Sequence, residues 1–526
     1  MKILVCFKVM PIWDKVLKQD WEVFEPNIDI SYAGMEFNCF DQSALELGLR
    51  IKESAVVQGQ QVSCTALTVG AFLQDSMAQN LYSIGFDEVV NIENTQPEFA
   101  CQETAGRISA YAKTGQFDLI LTGITAGMAE TGMVPFLVAE ELSYPIVPDI
   151  ETASFQHNNI LAMCHRPDGL WQKTVRLPVV LSVGNSPMVL RCSTLRARIS
   201  FKGQSAQRLP ANKNNSKNEK APHLSRPKSA RHCKMLSGEP MEQVDEVLKL
   251  LRGAKKDKQE STQDKGFLQN LPDSSVYYAL SDELSGCLEM AFSALVHDLQ
   301  EKKPKLVILP DTQDERRLAV RLAMHLDCSC DLGATVTQVS SQSVTLQKRV
   351  CASNLIWTKE RKFPAIITTS QTFETVKKVP IKIENSSLDS WIVNQKLLIP
   401  AAKSGLDNPD VVLVCGSGMG CKEECQKARE LAQKLDAGFG LTRPAALDSW
   451  GSTDEIIGQS GKLLAPSVCL VLGAAGASAF SVGIERAGKI IAVNTDSNAL
   501  IFKDADIGIK MDAKKFVEML LQALEN

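Results

Sequence analysis

The sequence predicts an α/β protein built from three parallel-sheet regions. Two observations carry this. Short, β-branched apolar runs recur along the chain, and amphipathic stretches of helical period separate them. Uninterrupted apolar strands are buried on both faces, which a parallel sheet covered by helices provides. The length of 526 residues fits three or four domains at roughly 150 residues each.

The first region runs over residues 1–201. KILVCFKV is its opening strand, closed by Pro11. A helix is expected over 41–53, where Ala44, Leu45, Leu47, Leu49 and Ile51 supply the apolar face. VSCTALTVG reads as a buried strand followed by a helix over 73–84; VVNIE, a helix over 103–113 and FDLILTG continue the alternation. Residues 160–165 and 173–176 form a strand pair joined by the turn Arg166-Pro167-Asp168-Gly169.

Composition then changes. Residues 202–236 hold nine Lys/Arg, a single acid, Glu219, and few large apolar side chains. Such a stretch cannot build a core, and 202–273 is expected to be a basic, flexible linker. It contains one short amphipathic helix over 241–252 (Val244, Val247, Leu248, Leu251) and the charged run KKDKQESTQDK. The second region, 274–405, has a helix over 284–299, the strand KLVILP, a helix over 316–326, the strands ATVTQV, SVTLQKR and AIITTS, and a polar stretch to about Asp410. The third, 406–526, opens on VVLVCGSGMG and a helix over 422–435, and adds VCLVLG, KIIAVN and a helix over 513–524. The recurrence of strand–helix units implies an internal duplication.

Charge and composition exclude several classes. The balance of 57 basic and 61 acidic side chains gives −4, so neither nucleic acid nor a membrane surface is an expected partner by charge. No apolar run approaches the roughly 18 residues of a membrane helix, and MKILVCFKVMP is too short an apolar stretch for a signal peptide. The chain is therefore expected in the cytoplasm. Its fifteen cysteines lack CxxC spacing and its six histidines lack HxxxH or HExxH spacing. Reduced thiols and no metal site are expected.

Chemistry concentrates in the third region. Gly416-Ser417-Gly418 follows a buried strand and precedes a helix. Glycines there let backbone approach a phosphate on a helix N-terminus, although such a turn is often only tight. Ile457-Gly458-Gln459-Ser460-Gly461-Lys462 is a Gly/Ser loop, and VCLVLG leads into Gly473-Ala474-Ala475-Gly476-Ala477-Ser478. Neither GxxxxGK[ST] nor GxGxxG is complete. Several small-residue turns at strand ends point instead to one extended dinucleotide across a sheet edge.

These segments resemble the FAD-binding domain of the electron transfer flavoprotein α subunit. GFGLTRPAALDSW is similar to its G-A-S-R-A-A-V-D-x-G segment, IIGQSGKLLAPSVCLVLGAAGAS to V-G-Q-T-G-K-x-V-A-P-x-L-Y-x-A-x-G-I-S-G-A, and AVNTDSNALIFKDADIGI to A-I-N-K-D-x-x-A-P-I-F-x-x-A-D-Y-G. The middle region resembles the α-subunit N-terminal domain, with QKRVCASNL similar to R-P-A-x-G-G-N and the front of that domain expected to be truncated. Residues 1–201 resemble the β subunit of the FixA-type branch. There MEFNCFDQSALELGLRIKE is similar to N-P-F/D-E-x-A-x-E-x-A-x-R-L-K-E, and CHRPDGLWQKTVRLPVVLSV to R-x-x-D-G-G…LP-A-V-V-T-V.

The resemblance implies both subunits fused on one chain. It implies three Rossmann-like, adenine-nucleotide-hydrolase-like domains, the last a DHS-like FAD-binding domain. It implies an FAD-containing electron carrier rather than an enzyme with its own substrate, taking electrons from flavoprotein (acyl-CoA-type) dehydrogenases and passing them to a quinone reductase or another acceptor. Two alternatives stand beside it: a bifurcating component with a second FAD in the β part, and a redox-inactive adenine-nucleotide-binding protein. By resemblance Thr442 and Arg443 contact the flavin. Gly458, Gln459 and Ser460 match the loop that passes flavin N4/N5, with Ile457 in the same cofactor-binding set. Gly476, Ala477 and Ser478 match the pyrophosphate turn, with Ala475 and Ala479 in the same cofactor-binding set, and Asn494 and Asp512 match positions that hold the ribityl–adenosine side. Ser417 and Phe480 replace an arginine and a histidine of the family. In the β part Cys6, Asn38, Cys39, Phe40, Asp41 and Val69 match an AMP or second FAD site, while the loop over 123–132 is shorter than the family's and lacks its aspartates. Leu195 matches a loop that docks a dehydrogenase.

Overall fold

The computed structural model describes residues 1–16, 23–24, 27–28, 32–70, 73–94, 100–126, 129–210, 222–227, 231–254, 276–280, 288–371, 373, 378–380, 388–400, 405–406 and 409–525. The charged run at 255–265, the basic tract at 211–221 and 228–230, and the opening of the second region near Ser275 lie outside them. The chain divides into two compact units.

The first unit takes in 1–225, 263–351 and 355–400. Its largest sheet has ten strands. In spatial order they are Gln207–Leu209, Glu88–Glu93, Ser63–Gly70, Lys2–Phe7, Leu119–Gly123, Val179–Val183, Ile146–Gln156, Asn159–Arg166, Gly169–Arg176 and Ile392–Pro400. The first seven pair in parallel and the last three antiparallel. The core strands are buried on both faces because helices cover both; Val179–Val183 is buried throughout, Ser182 included. Helix Cys39–Val57 covers one face and helices Cys101–Gly115 and Val134–Leu142 the other.

The middle of the chain forms a five-stranded parallel sheet in the order Ser329–Asp331, Ala365–Thr369, Leu306–Pro310, Val276–Leu280, Lys378–Pro380. An antiparallel sheet of His223–Ser225, Leu355–Lys362, Ser343–Val350 and Thr335–Val339 stands beside it in the sequence. Phe136, Leu137 and Val138 share one apolar core with Leu318, Leu322 and Ile366, so the N-terminal and middle regions fold together. Helix Val134–Leu142 packs on helix Gln313–Leu326, and Arg166 pairs with Asp314 at 2.7 Å.

The second unit comprises 226–262, Ala352–Asn354 and 401–526. Its six strands are all parallel, in the order Lys234–Met235, Ile507–Lys510, Lys489–Asn494, Val468–Leu472, Val411–Cys415, Gly438–Leu441.

Two expectations need correction. The segment 202–273 is not linker throughout. Gln207–Leu209 extends the first sheet, and 231–253 is built into the second unit. Arg231 pairs with Asp506 and donates to Glu485 O at 3.0 Å and to Ala487 O. Lys234–Met235 adds an edge strand, and helix Pro240–Gly253 buries Val244, Val247, Leu248 and Leu251. Average composition misleads here because four apolar side chains on one helical face, at about 1.5–3 kcal/mol each when buried, are diluted by the charged and polar residues around them. The polar stretch before Asp410 likewise contains the nine-residue strand Ile392–Pro400, which pairs with Gly169–Arg176. An edge strand needs no apolar period, so its signal was weak.

Candidate functional site

In the second unit the chain lays its strands in the order 2-1-3-4-5, counting from Val411–Cys415, with Lys234–Met235 added at the far edge. The order reverses between Val411–Cys415 and Val468–Leu472. The loops leaving those two strands lead to helices in separate cores, and such a reversal is where open α/β sheets take their ligands. Both loops are glycine turns. Gly416 N–H donates to Leu472 O and Gly418 N–H to Gly473 O, each at 2.9 Å. A Cβ on Gly416 would lie 2.6 Å from Ala474 Cα, and Gly473 has φ +66°. Glycine is thus required for the two turns to lie backbone to backbone, and Ser417 is left exposed above them.

The remaining sequence-predicted residues gather on the same edge. Thr442 N–H donates to Cys415 O at 2.9 Å, and the short helix Arg443–Leu447 starts there with Arg443 half-buried. Ile457 N–H donates to Leu441 O at 2.9 Å, Gly458 N–H to Lys462 O at 3.1 Å and Gln459 N–H to Ala479 O at 2.7 Å. The Gly458–Ser460 loop is therefore held against the Ala477–Phe480 turn. Gly458 has φ +129°, and a Cβ there would meet Ala479 O at 2.5 Å. Asn494 Nδ2 donates to Ala474 O at 2.9 Å while its Oδ1 accepts from Asp496 N–H at 3.0 Å. Asp512 Oδ1 accepts from Lys514 N–H at 2.8 Å. Both side chains fix turns at the edge.

Phe480 is 7% exposed and packs with Ile457, Leu464 and Ile484. It is a core side chain of the loop, so its place by alignment does not bring its ring out of the core.

The edge suits an anionic, extended ligand. The N–H groups of Ala475, Gly476, Ala477 and Ser478 donate to no protein acceptor among the described residues. Four successive free amides present the donors that an anionic group would need. One residue absent from the sequence-derived set belongs here: Asn354 Oδ1 accepts the Ser478 hydroxyl at 2.9 Å. Its only sequence signal was the asparagine of QKRVCASNL, more than a hundred residues upstream.

The ten-stranded sheet of the first unit has its own reversal, with Lys2–Phe7 central, Ser63–Gly70 and Glu88–Glu93 to one side and Leu119–Gly123 to the other. Asp41 bridges it. Its Oδ2 accepts Lys8 N–H and its Oδ1 accepts Gly123 N–H, both at 2.8 Å. The side chain is 3% exposed. Burial pushes its carboxyl up to about 7, against the hydrogen bonds from Lys8, Asn38 and Gly123 that favour the charge. Asn38 Nδ2 donates to Thr125 O at 2.8 Å. Cys6, Phe40 and Val69 are buried at the same strand ends, Cys39 is exposed, and burial followed by the Asp41 charge drives the Cys6 thiol up. Residues 127–128 of the following loop lie outside the described residues. Separately, Thr194 caps helix Leu195–Ser200 by accepting from Ala197 N–H at 3.2 Å, and Leu195 is 75% exposed.

Comparison with known proteins agrees on one family. The electron transfer flavoprotein domain model matches residues 28–213 and again 257–382, and the electron transfer flavoprotein FAD-binding domain model matches 405–485. The chain is 30% identical over 244 residues to the protein named as electron transfer flavoprotein subunit YgcQ in Escherichia coli (strain K12), covering 44% of this chain and 83% of that protein. It is 28% identical over 258 residues to protein FixB of Bradyrhizobium diazoefficiens, covering 46% and 69%. It is also 28% identical over 229 residues to protein FixB of Escherichia coli O7:K1, covering 42% and 73%.

Proposed function

The chain belongs to the electron transfer flavoprotein family, and we propose that it is a single-chain electron carrier in which β-type and α-type parts are fused. The same domain model matches twice in succession, ahead of one FAD-binding domain, which supports the fusion. FAD is its cofactor. Among the described residues no helix is long and apolar enough to cross a membrane, which is in keeping with work in the cytoplasm.

The observation that carries the cofactor assignment is the row of four free amides at the strand-order reversal of the second unit. In this reading Ala475–Ser478 hold the pyrophosphate. Gly458, Gln459 and Ser460 line the flavin ring. Asn494 and Asp512 keep the adjoining turns in place. Arg443 sets a positive charge near the ring. FAD supplies one- and two-electron transfer; the protein supplies position, exclusion of water and electrostatics. A fixed cation favours the negatively charged reduced form, so Arg443 raises the potential. Electrons come from a flavoprotein dehydrogenase docked at Leu195 and leave to a quinone reductase or another acceptor. The Asp41 crevice of the first unit takes AMP or a second FAD.

Purified protein tests this directly. One FAD per chain, reduced by an acyl-CoA dehydrogenase and its acyl-CoA, is the expected result. Protein that stays colourless after FAD is added would overturn the proposal and favour a redox-inactive nucleotide binder.

A further inference from the structure

We infer that Asn354 is a positioning residue of the flavin site, acting through Ser478, and that the turn before it serves to present it. The inference rests on the reading of Ala475–Ser478 as the cofactor cradle. Three observations point to it.

The first is conformation. Cys351, Ala352 and Ser353 have φ +56°, +50° and +68°. Left-handed backbone is disfavoured for residues with a Cβ and is visited singly, not in runs. Three in succession persist only where surrounding contacts over-determine them. The second is contact. The Ser478 hydroxyl donates to Asn354 Oδ1 at 2.9 Å, and Asn354 Nδ2 donates to Ala352 O at 3.4 Å. The amide is thereby braced by its own turn with its oxygen toward Ser478. The third is an orphan. Ser353 is 6% exposed, and its hydroxyl has no hydrogen-bond partner among the described residues. A buried, unsatisfied hydroxyl beside a ligand-binding turn marks a place where a further polar group belongs.

The physical role follows from which atoms of Ser478 are engaged. Its hydroxyl is tied to Asn354, while its N–H stays free for a ligand. Holding the side chain fixes the residue's rotamer and the direction of that N–H. Without Asn354 the hydroxyl is free to turn back on the neighbouring amides and compete with the ligand for them.

The test is FAD titration of the full-length apoprotein, followed by quenching of flavin fluorescence. Asn354→Ala and Ser478→Ala are each expected to raise Kd about three- to tenfold, the range of one hydrogen bond. The double variant should be no weaker than either single one, because both remove the same bond. Ser478→Thr keeps the hydroxyl and should bind like wild type. The thermal midpoint of the apoprotein, measured on each variant, separates loss of fold from loss of affinity. If Asn354→Ala lowers that midpoint yet leaves Kd unchanged, or if the two single effects add, the inference fails. If the wild-type apoprotein takes up no FAD, the reading of the cradle fails; if it takes up FAD and Asn354→Ala or Ser478→Ala is silent, the cradle of backbone N–H groups stands and the inference alone falls.

Discussion

At the scale of single residues, two side chains show how alignment and packing can disagree. Phe480 stands where the family has a histidine, and that position alone makes Phe480→His look like a restored donor to the flavin. Its ring lies among Ile457, Leu464 and Ile484. An imidazole there would be buried without a partner, at a cost of about 1–3 kcal/mol. Phe480→His is therefore expected to lower the thermal midpoint by several degrees and to loosen flavin, and a differential scan of the variant checks it. Arg443 is half-buried at a helix start on the site's edge. Arg443→Ala should lower the flavin's potential, since it removes a charge that favours the reduced form; spectroelectrochemical titration of both proteins gives the difference. Asp41 carries a pH dependence. Its carboxyl titrates at about 7 in the fold and at about 3.9 in an unfolded chain. The folded state holds the proton more tightly, so this group's contribution is full below about pH 4, declines as pH rises, and is lost above about 7. Urea unfolding of wild type and Asp41→Asn between pH 4 and 8 should show wild type losing ground across that window and a flat difference beyond it.

At the scale of elements, helix Pro240–Gly253 is the clearest case of structure that composition hid. Its sequence period was visible, with Val244, Val247, Leu248 and Leu251 on one face. What that face covers was not. It packs beside helix Ala513–Glu525 in the core of the second unit, and the Glu239/Glu242 capping box fixes its start. Leu248 is buried, so Leu248→Ala should cost about 2–5 kcal/mol of the second unit's stability. The loss would appear as earlier release of flavin on heating, read by its fluorescence. Linker behaviour predicts no change, so the variant discriminates between the two descriptions. The glycine turns were legible for the opposite reason. A backbone that approaches another within 3 Å leaves no room for a Cβ, so the geometry at Gly416 and Gly473 writes itself into the sequence.

At the scale of the whole molecule, one core links residues far apart in the chain. Phe136 to Ala139 and Leu318 to Ala323 belong to the same apolar cluster. Residues 1–225 and 226–526 produced as two separate chains are accordingly expected to associate and elute together on gel filtration with flavin bound; separate elution would show that the single chain is needed for assembly. The sequence by itself determined the α/β class, most strand and helix positions, and the glycine turns with Thr442, Asn494 and Asp512 around them. These depend on local period and on local backbone demands, which adjacent residues state. Tertiary structure decided the rest: that 231–253 completes the second unit, that Ile392–Pro400 joins the first sheet, that Phe480 turns inward, and that Asn354 meets Ser478. Each of these is a pairing across a long stretch of chain, specified by the shape and exposed polar groups of a distant surface rather than by any pattern within the segment itself.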